Sequence, residues 1–119
     1  LTKGLKRSFA LSSHDQDFLD FIATKDPLQV QILPLVWLEA MKQWLARAQA
    51  QVSSEHGILV MQGDADETVD WRFNIEVLQQ KFPSQLQLQI VDGARHRLLC
   101  EDEKWRQFIY GSVFEYLQD

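Results

Sequence analysis

Four consecutive apolar residues, Ile58, Leu59, Val60 and Met61, run through Gln62 into Gly63 and then into three acids, Asp64, Asp66 and Glu67. No other stretch constrains the fold as strongly. An apolar run without alternation is what a strand covered on both faces shows, as in a parallel sheet. The loop leaving the carboxyl end of such a strand is where α/β proteins place their chemistry. Gly63 permits a tight turn or a close backbone approach at that end, and the acids hang over it.

The rest of the chain fits around this strand. Residues 1–13 show no sustained period and read as irregular. Ser13 or Asp15 caps a short helix over about 15–23, with Phe18, Leu19, Phe21 and Ile22 on its apolar side and Asp15, Asp17 and Asp20 near its positive end. Pro27 ends that helix, because a proline disfavours the α conformation in the residue before it. A loop leads to Pro34, which opens the longest helix, about 34–50; Trp37, Met41, Trp44, Leu45 and Ala48 recur at helical spacing as a core-facing stripe. The turn from Val52 to Gly57, with His56 as a solvated histidine, leads into the strand at 58–62. Trp71, Ile75, Leu78 and Phe82 mark a helix over about 70–81 that Pro83 stops, and Leu86 to Val91 is a second strand, half polar at its start. The last helix, about 103–117, carries Trp105, Phe108, Ile109, Val113, Tyr116 and Leu117 as its buried stripe.

The fold class is therefore α/β. A strand–helix–strand unit is expected to be a crossover with parallel strands, 58–62 and 86–91. The segment Asp92, Gly93, Ala94, Arg95, His96 then leaves the second strand at the sheet edge where Gly63 to Asp66 leaves the first. His96 can face the acids there.

Composition narrows the function. A chain of 119 residues, 45% hydrophobic, forms one soluble domain with one core. A net charge of −5 with no basic stripe argues against nucleic acid or an anionic membrane as partner, and Lys3, Lys6 and Arg7 read as a solvated end. The single cysteine, Cys100, excludes an intrachain disulfide and a cysteine zinc cage; it reads as a small core residue and suits a cytoplasmic protein. No run reaches the roughly 18 apolar residues of a membrane span. The acids at 15, 17 and 20 have no further ligand near them in sequence, so no metal or other cofactor is expected. A first residue, Leu1, that is not methionine reads as the mark of a fragment.

Gly63 to Val69 after an apolar strand, with His96 later in Gly93-Ala94-Arg95-His96, resembles the Asp and His ends of an α/β-hydrolase. It is most similar to the lysophospholipase, monoacylglycerol lipase and serine aminopeptidase branch. Glu101 after the histidine, and Asp26-Pro27-Leu28 ahead of a helix, also resemble that branch. The likeness covers about residues 12–117. It implies that Asp66 and His96 are the acid and base of a Ser–His–Asp triad. Residues 1–30 would be the end of a cap region and the return to the core, and residues 31–119 the C-terminal part of that core. The full-length protein would act on a small-molecule ester or lipid-like substrate. A G-x-S-x-G elbow and its oxyanion donors are missing, since no serine of this chain sits in one, and the family's order puts the nucleophile upstream of Leu1. The chain alone is then inert, and the edge of strand 58–62, internal in the parent fold, favours self-association.

Other readings stay open on the residues themselves. Asp64 fits turn chemistry and Glu67 a first-turn acid. Trp71 and Arg97 border the region, with core packing and solvent exposure as their plain roles. A non-catalytic α/β binding or interaction domain needs no nucleophile. A receiver-like magnesium pocket on Asp64 and Asp66 needs more strands than this chain encodes.

Overall fold

The computed structural model describes residues 4–51 and 55–118. Leu1, Lys3 and the Val52–Ser54 part of the turn lie outside them. Its element order is β1 (Gly4–Lys6), α1 (Gln16–Thr24), β2 (Ile32–Pro34), α2 (Leu35–Ala50), β3 (Ile58–Gly63), α3 (Trp71–Lys81), β4 (Leu86–Val91), a 3₁₀ turn (Leu98–Cys100) and α4 (Glu103–Gln118). The expected helices and strands fall within a residue of these bounds.

The architecture is α/β, built on β3 and β4. These pair in parallel, with Ile58 opposite Leu86 and Gly63 opposite Val91. Parallel strands need a crossover, and α3 supplies it. Asp70 caps α3 by accepting from the Phe73 N–H at 3.2 Å, and the helix stops at Phe82, just before Pro83. On α4, Ile109 is 2% exposed and packs with Val91 and Ala94, joined by Met61, Leu98 and Trp105. A smaller cluster, Phe9, Leu19 and Ile22 with Phe18 against it, holds α1 to the segment ahead of it. Asp15 caps α1 through the Phe18 N–H at 2.9 Å.

The structure departs from the sequence reading in four places. Residues 4–6 are not irregular, 32–33 are not loop, and Pro34 closes β2 rather than opening α2: β1 and β2 pair antiparallel, with Leu5 opposite Leu33. Strands of three residues are too short to show a period, and their pairing partner is distant in sequence. The α2 stripe is not core. Trp37 and Trp44 are 50% and 58% exposed, and no residue of α2 is buried. An amphipathic stripe says that a face suits burial, and the described elements of this chain cover this one only in part. Its C-terminal half does meet α3, where Trp44, Leu45 and Ala48 face Phe73, Val77 and Phe82 across a cavity of about 460 Å³. Lys81 there donates to the carbonyls of Ala48 and Gln49 in the last turn of α2. On α4, Ile109 is buried but Phe108 and Leu117 are exposed, because only one side of that helix lies on the β3–β4 sheet. Cys100 is half-buried rather than core, set in the 3₁₀ turn.

Among the described strands β3 pairs only with β4, so one of its edges is open. Among the described residues no helix is long and apolar enough to cross a membrane.

The packing around Ile109 should dominate the stability of this half of the molecule. Ile109→Ala should cost about 2–5 kcal/mol, the range for truncating a buried aliphatic side chain, whereas Val36→Ala on exposed α2 should stay within about 0.5 kcal/mol. Urea unfolding of the two variants measures the difference, and equal losses would contradict this account of the core.

Candidate active site

The site is assembled at the carboxyl ends of β3 and β4, where two loops approach more closely than side chains would allow. A Cβ on Gly63 would lie 2.2 Å from the Ala94 carbonyl oxygen and 2.8 Å from that of Arg95. Only glycine fits. In the space so opened, Ala65 N–H donates to the Ala94 carbonyl at 3.1 Å, and Gly93 N–H donates to Asp64 Oδ1 at 2.7 Å. Gly93 makes the turn out of β4 with φ of 69°, in the left-handed region that favours glycine. Asp64 is thus turn chemistry, and of a kind that ties one loop to the other.

Asp66 and His96 meet across these loops. His96 Nδ1 lies 2.9 Å from Asp66 Oδ2. The acid's side chain is 2% exposed and the imidazole 38%. Asp66 Oδ2 also accepts from Gln62 Nε2 at 3.1 Å, while Oδ1 accepts from the Thr68 N–H at 2.8 Å and more loosely from that of Val69. Burial pushes the Asp66 carboxyl up. The hydrogen bonds from His96, Thr68 and Gln62, with the charge of His96, outweigh it and hold the carboxyl below its ordinary 3.8. An ionised carboxylate can only accept, so neutral His96 carries its proton on Nδ1 and turns Nε2 outward as an acceptor.

A second acid sits behind the histidine. Glu101 is 0% exposed. Its Oε1 accepts from the Arg95 N–H at 2.6 Å and its Oε2 from the His14 N–H at 2.7 Å, and the His14 Nδ1 lies 3.1 and 3.2 Å from the two oxygens. Burial pushes the Glu101 carboxyl up, but these donors prevail and hold it below its ordinary 4.5. The His14 ring stacks on Trp105 with centroids 4.4 Å apart. Sequence reasoning noticed Glu101 only through the resemblance and passed over His14. The available signal was an acid placed directly after the apolar Leu98-Leu99-Cys100, a position that carries it inward.

The remaining candidates fall outside the pair. Glu67 is exposed, and Asp70 rather than Glu67 serves the start of α3, because the helix begins later than a first-turn role for Glu67 requires. Trp71 is half-buried under the Arg72 guanidinium. Arg97 is not simply solvent-exposed: its guanidinium lies 5.8 Å from the centre of the Phe9 ring and 5.7 Å from that of Phe18. Asp64 and Asp66 accept from different donors, and among the described residues no group of three or more His, Cys, Asp or Glu side chains could hold a metal. Ser12, Ser13 and Ser112 donate their hydroxyls to backbone carbonyls rather than to His96. His56 is exposed.

No protein-family model matches the sequence, and no curated protein is significantly similar to it. Solved structures do match. The crystal structure of a monoacylglycerol lipase from Paleococcus ferrophilus superposes with a TM-score of 0.78 at 19% sequence identity, over 98% of this chain and 44% of the lipase. The chain thus spans less than half the length of that protein and has the fold of a C-terminal portion of an α/β-hydrolase.

Both depressed carboxyls stabilise the folded state when ionised. That contribution is present above their ordinary values, 3.8 and 4.5, and is lost as pH falls through the lower folded values. The urea midpoint should therefore fall as pH drops below about 4.5, and Asp66→Asn should remove part of that dependence. A midpoint that stays flat between about pH 5 and pH 2 would show that neither carboxylate is held this way.

Proposed function

We propose that this chain carries the acid and histidine of a serine hydrolase acting on carboxylic esters of a lipid-like kind. The observation that carries the reading is the 2.9 Å hydrogen bond between buried Asp66 and half-exposed His96, made across the carboxyl ends of two parallel strands. Asp66 holds His96 with Nε2 outward. His96 Nε2 takes the proton of a serine hydroxyl as its oxygen attacks the ester carbonyl, Asp66 stabilises the imidazolium, and His96 returns the proton to the leaving alcohol. The serine and the oxyanion donors are assigned to the part of such a fold that this chain does not span. The similarity to a lipase supports this chemistry, and residues 1–30 fit the end of a cap region ahead of core residues 31–119. A cytoplasmic setting agrees with the single, unbridged cysteine.

The chain alone should turn over no nitrophenyl ester above a denatured control. Nitrogen-15 NMR of the imidazoles tests the pair directly: neutral His96 should be the Nδ1–H tautomer, and Asp66→Asn should abolish that preference. Turnover by the isolated chain that disappears in His96→Ala, or a His96 tautomer indifferent to Asp66→Asn, would each contradict the assignment.

The open edge of β3 and the uncovered apolar faces of α2 and α4 also suit self-association of the isolated chain. Light scattering at micromolar concentration should give a mass above that of the monomer; a monomer would mean that this edge is protected within one chain.

A further inference from the structure

We propose that Glu101 is the positioning residue of the Asp66–His96 pair, its buried carboxylate fixing the peptide unit that leads the chain into His96. The inference rests on the reading of that pair as catalytic and adds a residue that never touches substrate.

The peptide unit in question joins Ala94 to Arg95. Its carbonyl accepts from the Ala65 N–H, in the loop that carries Asp66, at 3.1 Å. Its N–H donates to Glu101 Oε1 at 2.6 Å. One pole of the peptide is thus held by the acid's loop and the other by Glu101, one residue before His96. On the far side of the histidine, Arg97 N–H donates to the Ser12 carbonyl at 2.9 Å. His96 is therefore bracketed on both sides, and only its side chain is left to turn.

Glu101 is suited to this by its burial. A carboxylate with no exposure is tolerated only where donors replace its lost water, and each donor it keeps is then held firmly. Its second oxygen accepts from the His14 N–H, and the His14 ring is fixed in turn against Trp105. Arg95 Nη1 donates to the Ser13 carbonyl at 2.8 Å, and Ser13 Oγ donates to the Cys100 carbonyl at 2.7 Å. These bonds lash the segment ahead of α1 to the His96 loop, with Glu101 at the crossing point.

Both carboxylate oxygens are committed to backbone N–H groups, so neither close relative can replace Glu101. A glutamine presents an NH₂ to one of two N–H donors and must release it. An aspartate is one methylene shorter and cannot span both. A residue that merely pins the fold would lower stability without altering which imidazole nitrogen carries the proton.

The test is nitrogen-15 NMR of the His96 ring under conditions where it is neutral, in the wild-type chain and in the Glu101→Gln, Glu101→Asp and Asp66→Asn variants. The expected result is loss of the Nδ1–H preference in Glu101→Gln and Glu101→Asp, with amide signals of β3, α3 and β4 unchanged. A preference that Asp66→Asn abolishes but folded Glu101 variants retain would overturn the proposal and leave the catalytic reading intact. A wild-type His96 without the Nδ1–H preference would defeat the catalytic reading, and the proposal with it. If Glu101→Gln fails to fold, Glu101→Asp decides; unfolding of both makes Glu101 a residue of the fold and overturns the proposal.

Discussion

The approach of the His96 loop to the end of β3 depends on a side chain that is absent. With any Cβ at position 63 the carbonyls of Ala94 and Arg95 could not lie where they do, and the bonds from Ala65 and to Asp64 would have nothing to close on. Those bonds bring Asp66 and His96 within 2.9 Å, although the two residues are carried by different strands. The sheet supplies the direction of both loops, and the missing Cβ supplies the last few ångströms.

The electrostatics follow from that closeness. Two acids are buried at this edge, and each is kept ionised by the same device, a set of N–H donors gathered around it: Thr68, Gln62 and His96 for Asp66, and Arg95 and His14 for Glu101. Withdrawing either acid from water is costly in isolation. Here the donors belong to the very loops that must be held, so charge burial and loop geometry support each other. Each acid also faces a histidine, but the settings differ: the His14 ring is stacked against an indole, while His96 presents a free face outward.

Much of this was legible in the sequence, for reasons that differ by residue. The unbroken apolar run Ile58 to Met61 and the glycines at 63 and 93 foretold a parallel pair with loops on one edge, because a parallel strand and tight turns leave direct marks on residue choice, although Ile58 to Met61 are half-buried here rather than covered on both faces. That topology let His96 face the acids, and the resemblance to α/β-hydrolases singled out Asp66 among them. The β1–β2 pairing left no mark, since three-residue strands have no period. The stripe of α2 was read correctly as amphipathic and wrongly as buried, because periodicity reports a face and not its neighbour. Glu101 was marked only by its place after Leu98-Leu99-Cys100, and its role was hidden because its closest partners are backbone N–H groups, which every residue carries.

The parallel register of β3 and β4, Gly63 opposite Val91, has a consequence for how the chain tolerates change in length. The separation of Asp66 from His96 along the chain is spanned by α3 and its flanking connections, none of which sets the distance between the two side chains. Residues inserted where Pro83 and Ser84 join α3 to β4 would lengthen a surface connection and leave the pair where it is. A single residue removed from within β4 would shift the strand by about 3.3 Å and turn its inward side chains outward, taking His96 out of reach of Asp66. The spacing visible in the sequence is thus incidental, while the ladder between the strands is not, and homologous chains can differ freely in the first provided they keep the second.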